Sequence, residues 1–274
     1  MRLSPQSILG YFRFLSLVLI LLVSGCAGDT IRFSSDVLAK QYSTKLSGHL
    51  SKPEGEGPFP TVVLMHGCGG LSRFVKMGLI SHASFLNDHG FATVILDSFS
   101  SRGINGGSIC SSNDALGAAR YYRTFDAFNA LLYLKQQTYV DHDNIFLVGQ
   151  SNGGSVAVMV AGGGTSFNYP GDLKYTAVVA YYPWCGMYID YLVSPLLVLS
   201  GAKDYWTPPD GCMNQRNTVE GEDLEVVVYP EAYHSFDLPI SQKQFAGHTV
   251  GGHSPSTEDS RKRMLNFFKE RMAP

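Results

Sequence analysis

Ser151, Asp204 and His234 are three residues whose types and order in the chain could together break an acyl bond. Ser151 stands in Gly149-Gln150-Ser151-Asn152-Gly153, between the apolar run Asn144-Ile145-Phe146-Leu147-Val148 and the Ala/Val-rich run Val156-Ala157-Val158-Met159-Val160. A G-x-S-x-G pattern between a strand and a helix marks a nucleophile elbow, with the serine on a sharp, strained turn. Glycine at the flanking positions lets the strand and the helix approach closely. The helix N-terminus then directs free N–H groups at negative charge developing beside the serine. The five letters alone fit an ordinary Gly/Ser turn; the strand before them and the helix after them favour the elbow.

A serine hydroxyl is a weak nucleophile until a base takes its proton. Asp204 follows the predicted strand Leu196–Ser200, in Gly201-Ala202-Lys203-Asp204-Tyr205-Trp206-Thr207-Pro208. His234 follows the predicted strand Leu224–Tyr229, in Tyr229-Pro230-Glu231-Ala232-Tyr233-His234-Ser235-Phe236-Asp237. Serine, acid and histidine in that chain order is the α/β-hydrolase arrangement. His234 would take the Ser151 proton and return it to the leaving group, while Asp204 would hold the ring tautomer and stabilise the imidazolium. Asp210 and Asp237 are nearby carboxylates that compete with Asp204 for this role. His66-Gly67-Cys68-Gly69-Gly70 follows the predicted strand Thr61–Met65 and resembles the HG-type oxyanion loop of esterases. The backbone N–H of Cys68, with that of Asn152, would hold the oxyanion of a tetrahedral intermediate, Gly69 being the alternative donor. His66 precedes the serine, the wrong order for the base, and reads as a brace for the loop.

These residues need a scaffold that brings distant loops together, and the hydrophobic pattern supplies one. Strands are expected at Tyr42–Ser51, Thr61–Met65, Phe91–Leu96, Ile145–Val148, Thr176–Tyr182, Leu196–Ser200 and Leu224–Tyr229. Between and after them, helices are expected at Val75–His89, within Asp114–Gln137, at Ser155–Ala161 and at Thr257–Met272. In the last, Met264, Phe267, Phe268 and Met272 are spaced for one buried face. Such alternation predicts an α/β fold with a mostly parallel central sheet and helices on both faces. In an open sheet of this kind a site lies beyond the carboxyl ends of the strands, where the elbow and both partner loops fall.

The chain is similar to the dienelactone hydrolase family of α/β-hydrolases over roughly residues 45–272. The likeness rests on His66–Gly70, the stretch Leu96–Gly103, the stretch Asp126–Leu134, the elbow, Asp204 and Ala232-Tyr233-His234-Ser235-Phe236. The resemblance implies a single-domain hydrolase fold, no cofactor and a Cys/Ser–Asp–His triad. The family's namesakes carry cysteine at the elbow where this chain has Ser151. That departure points away from the namesake lactone and toward general carboxylic-ester hydrolysis, with a small-molecule ester as partner. A peptide bond or a lactone cleaved by the same triad is the nearest alternative. A non-catalytic envelope binding protein that keeps the fold is the alternative of another class.

Residues that would shape the substrate are less marked. Arg102, in the Gly/Ser-rich loop Ser98–Asn113, is a candidate to bind a substrate carboxylate, although bracing its own loop is the more usual role. Tyr181, Tyr182 and Trp184 follow a strand and are candidates for an aromatic wall or for core, with Trp184 the chosen substrate-binding residue. The stretch Leu238–Ser256 is long enough to fold over the site. His234, His248 and His253 are too irregularly spaced to suggest a metal centre, and no CxxC or HxxxH pairing occurs.

Residues 1–25 resemble an export signal. Arg2 and Arg13 bracket a basic region, and residues 14–23 form an apolar stretch of ten, short of the roughly 20 that a membrane span needs. Val23-Ser24-Gly25-Cys26 resembles a bacterial lipobox, which would make Cys26 the lipidated first residue of a mature domain of residues 26–274. The expected location is the bacterial periplasm or outer membrane, with membrane contact through the lipid alone. Ala27, in place of an aspartate, favours the outer membrane. A plain signal peptide is the alternative. Export favours disulfides among the remaining Cys68, Cys110, Cys185 and Cys212, which allow three connectivities. Cys185 and Cys212 follow adjacent predicted strands and are the first choice, leaving Cys68 with Cys110. The 274 residues, 45% hydrophobic and 16% charged, suit one globular domain. A net charge of −2 offers no concentrated basic face for nucleic acid.

Overall fold

The computed structural model describes residues 28–163, 173–186, 189, 191–216 and 224–274. The N-terminal segment 1–25 and Cys26 lie outside the described residues. In chain order the elements are β1 (Asp29–Ser34), β2 (Lys45–Ser51), β3 (Phe59–Met65), α1 (Arg73–Asn87), β4 (Ala92–Asp97), α2 (Asn113–Leu134), β5 (Val140–Gln150) and α3 (Asn152–Ala161). There follow β6 (Gly162–Gly163), β7 (Val178–Tyr181), β8 (Tyr191–Leu192), β9 (Leu196–Gly201), α4 (Asp210–Arg216), β10 (Leu224–Tyr229), β11 (Lys243–Phe245), β12 (His248–Val250) and α5 (Ser254–Lys269).

Eight strands form one sheet in the order β1-β2-β4-β3-β5-β7-β9-β10. From β4 to β10 all neighbours are parallel, while β2 pairs antiparallel with both β1 and β4. The parallel strands are continuous apolar runs because both faces are covered. Alternate residues feed opposite layers. Val63 and Met65 of β3 pack with Ala127, Phe128 and Leu131 of α2 and Val156 of α3. Val62 and Leu64 pack instead with Leu79 and Leu86 of α1 and Met264, Phe267 and Phe268 of α5. Helix α5 begins at Ser254 with Pro255 in its first turn, where a missing N–H breaks no helical bond. It ends at Lys269, so Met272 lies past it and is exposed, against expectation.

From β3 the chain crosses through α1 to β4, then returns through α2 to β5 on the other side of β3. The strand order therefore reverses between β3 and β5, and the crevice beyond such a switch is where open α/β sheets bind ligands. The loop after β3 is His66–Gly70 and the residue after β5 is Ser151. Among the described residues, no helix is long and apolar enough to cross a membrane.

Candidate active site

Ser151 adopts φ 54° and ψ −116°, a backbone region that side chains disfavour. Its neighbours enforce it. A Cβ on Gly149 would stand 2.0 Å from the Gly153 carbonyl oxygen, and one on Gly153 would stand 2.5 Å from the His66 carbonyl oxygen. Strand, helix and the loop His66–Gly70 meet here with no room for a methyl group. The Ser151 N–H donates to Tyr181 O (3.0 Å), and α3 starts at Asn152, three residues earlier than the sequence pattern predicts.

His234 Nε2 lies 2.9 Å from Ser151 Oγ, and His234 Nδ1 lies 2.7 Å from Asp204 Oδ2. A carboxylate at Nδ1 requires the proton there, so Nε2 is left to accept the Ser151 hydroxyl. Asp204 is itself held in place: its Oδ1 accepts the Trp206 and Thr207 amides, both at 2.9 Å. Burial pushes the Asp204 carboxyl up, but the His234 charge and hydrogen bond, with the Thr207 donors, outweigh it and hold the group below the usual carboxylate range. The structure therefore brings Ser151, His234 and Asp204 into one hydrogen-bonded chain. Asp210 begins α4 and makes no ion pair with the histidine among the described residues, and Asp237 turns its carboxylate to other partners: His82, Gln150 and Tyr182.

Cys68 and Asn152 both line space next to Ser151, and neither amide has an acceptor among the described residues. Their positions are linked by Arg123, a fully buried arginine on α2. Its Nη2 donates to His66 O (2.6 Å) and its Nη1 to Asn152 Oδ1 (2.7 Å), tying the loop after β3 to the start of α3. Burial lowers the Arg123 guanidinium to about 10. His66 braces the loop as expected: Nδ1 donates to Gly67 O (2.7 Å), while Nε2 faces the Ser98 N–H. Burial, together with the Arg123 charge, lowers its pKa to about 3, so the ring is neutral.

Disulfides join Cys68 to Cys110 and Cys185 to Cys212, the pairing preferred from strand order. The first fastens the loop His66–Gly70 to the segment before α2. The second fastens the loop after β7 to α4.

Arg102 requires a correction as a substrate-binding residue. Its guanidinium makes two 2.8 Å bonds to the buried Asp126 carboxylate and also donates to Ser98 O and Tyr42 O. With its donors engaged it braces the loop and lines neither cavity at Ser151. Trp184 does line a cavity at Ser151, as does Tyr182 on the other side. Trp206 lines both, tilted on His234 at 4.7 Å and stacked on His248 at 4.8 Å. Its place two residues after Asp204 was the signal that could have found it. The stretch after His234 folds over the site as the hairpin β11–β12, contributing Phe245 and Val250 to the apolar wall.

The chain matches the family model of the dienelactone hydrolase family over residues 46–272. It belongs to that family. Among solved structures, it is similar to a dienelactone hydrolase-like promiscuous phosphotriesterase from metagenomic libraries, with TM-score 0.63, 22% identity, and coverage of 90% of this chain and 100% of that one. It is also similar to a dienelactone hydrolase from Anabaena variabilis, with TM-score 0.61, 17% identity, and coverage of 90% and 100%. Esterase 2 from Thermogutta terrifontis gives TM-score 0.59 at 16% identity, covering 91% and 98%. No curated protein matches the chain. This dienelactone hydrolase-family chain is thus a hydrolase of the α/β type with serine at the elbow.

Proposed function

We propose that this protein is an exported serine hydrolase that cleaves a small or medium carboxylic ester through an acyl-enzyme. The carrying observation is the chain Ser151–His234–Asp204, with links of 2.9 and 2.7 Å, set beside two amides without acceptors among the described residues. Ser151 Oγ attacks the ester carbonyl as its proton passes to His234 Nε2, and Asp204 stabilises the imidazolium. The carbonyl oxygen becomes an oxyanion held by the Cys68 and Asn152 amides, each such donor being worth about 2.7–4 kcal/mol of barrier. Collapse breaks the bond to the alcohol oxygen, which takes the proton from Nε2. Water then gives a proton to His234 and its oxygen to the acyl carbon, releasing the acid and restoring Ser151. No cofactor enters this scheme.

A fluorophosphonate probe should label Ser151, and a short-chain 4-nitrophenyl ester should be hydrolysed; Ser151→Ala should lose both. A folded wild type that resists the probe and spares the ester would overturn the reading. Export is supported by the basic and apolar N-terminal segment and by two disulfides, which persist in oxidising compartments. Mass spectrometry of the mature protein should find diacylglyceryl-modified Cys26 at its N-terminus, and an unmodified Cys26 or a start beyond it would refute the anchor.

A further inference from the structure

Ser151 stands between two cavities, one apolar and one mixed. One is apolar, walled by Val75, Tyr182, Leu238, Ile240 and Val250, and it contains His234. Its cation, Lys243, is exposed at the rim over the Phe74 ring. The other lies on the α2 side and is lined by Asn113, Leu116, Arg120, Ser155, Trp184 and Thr207. The two share Cys68, Ser151 and Trp206.

Among the described residues no acidic side chain lines the second cavity, and Arg120 carries its formal charge. The Arg120 guanidinium lies over the Trp184 ring, 4.4 Å from its centroid. Among the described residues no carboxylate stands within ion-pair distance of Arg120. Burial pushes its pKa below the usual arginine range. The neighbouring arginines differ: Arg102 is paired with Asp126, and Arg123 donates to two oxygens. An indole face attracts a cation without accepting its N–H bonds in line, so the donors of Arg120 remain for a ligand. The platform is fixed in advance. Trp184 N donates to Ser155 Oγ (2.9 Å), the next residue is disulfide-bonded, and only glycine at 186 leaves room for the indole.

The position of the base gives the substrate a direction. The leaving oxygen must reach His234 Nε2, and His234 lines the apolar cavity but not the Arg120 cavity. The alcohol therefore departs through the apolar side and the acyl group extends toward Arg120. We propose that the substrate is the half-ester of a dicarboxylic acid, its free carboxylate bound by Arg120 and its alcohol portion apolar. This rests on the serine-hydrolase reading above.

The test compares 4-nitrophenyl hydrogen adipate with its methyl-capped neutral counterpart on the full mature protein. The anionic ester should be preferred at least about tenfold in kcat/KM, chiefly through a lower KM, because the carboxylate is bound equally in ground and transition states. The preference should shrink as sodium chloride is raised. Arg120→Gln should bring the ratio near one, and Arg120→Glu should invert it, a reversal that loss of packing alone does not produce. Equal use of both esters by the wild type, or a ratio that survives Arg120→Glu, overturns the anion site and leaves the hydrolase standing. The salt series on the wild type decides the matter if the variants do not fold. Failure to hydrolyse either ester, with no fluorophosphonate label, removes the serine-hydrolase reading and this one with it.

Discussion

Two buried aspartate–histidine pairs lie side by side, each joined at 2.7 Å: Asp204 with His234, and Asp237 with His82. The distance is the same and the surroundings are not. His234 bonds its aspartate through Nδ1 and turns Nε2 to Ser151 at the mouth of a cavity. His82, on α1, bonds Asp237 through Nε2, and its Nδ1 is buried with no partner among the described residues. Asp237 also accepts from Tyr182 (2.5 Å) and Gln150 (2.5 Å), residues that flank His234 and precede Ser151. The second pair thus fastens together the backbone that carries the first. An aspartate–histidine contact does not define a reactive site; access of the second ring nitrogen to a nucleophile and a cavity does.

The comparison breaks most sharply at the histidines. In the proposed reaction, His234→Ala should lower kcat on the order of a million-fold, as expected for a base acting as a unit with its serine. His82→Gln should leave kcat within about tenfold, since His82 touches neither nucleophile nor cavity. Steady-state ester kinetics read both, and comparable losses in the two variants would erase the distinction between the two pairs. The aspartates divide by observable. Asp204→Asn should cost about 10,000-fold in kcat by favouring the wrong tautomer. Asp237→Asn breaks a fully buried, charge-assisted cluster and should remove about 3 kcal/mol of stability in urea denaturation.

Arg123 gives a third, intermediate effect. Its removal leaves the His66 carbonyl and the Asn152 side chain without their donor, so the two amides proposed to hold the oxyanion lose their common support. Arg123→Met should reduce kcat about 100-fold with KM little changed, the scale of one lost oxyanion donor. Arg123→Lys should recover part of that. A rise in KM alone would assign Arg123 to substrate binding instead.

Why one pair was legible in the sequence and the other was not follows from what each depends on. Ser151, Asp204 and His234 end three strands of a parallel sheet, and strand order plus the elbow pattern is enough to bring them together. Asp237, by contrast, is three residues from His234 and looked like a rival for Asp204. Only side-chain direction separates them, and direction past a turn is not written in spacing. His82 and Arg123 are polar residues on the buried faces of long helices, so periodicity files them with the core. The hairpin β11–β12 escaped because Ala246 and Gly247 form its turn with φ 50° and 82°, where the strong sequence signal is Asn-Gly or Asp-Gly. Strand β1 is an antiparallel edge with no buried residue, and α4 is too short to show a period.

Acid provides the smallest and finest test. Asp204 and Asp237 both lie below the usual carboxylate range, in each case because histidine and hydrogen-bond partners outweigh burial. A depressed carboxylate contributes stability that is complete above its unfolded pKa, near 4, and lost as pH falls through its folded value. His66 acts over a different window. Buried neutral with a pKa of about 3, it takes up a proton in the unfolded chain below roughly pH 6.5 but not in the folded one. Stability should therefore fall as pH drops from 6.5 toward 3, with His66 contributing up to about 1.4 kcal/mol per pH unit. Denaturation at pH 6.5, 5.5 and 4.5 should show that slope in wild type and equally in Asp204→Asn and Asp237→Asn. Below pH 4 the curves should part, Asp237→Asn losing the further acid sensitivity that its own carboxylate supplied. If Asp237→Asn instead flattens the slope between pH 6.5 and 4.5, the acid sensitivity of that window belongs to the Asp237 cluster and not to His66.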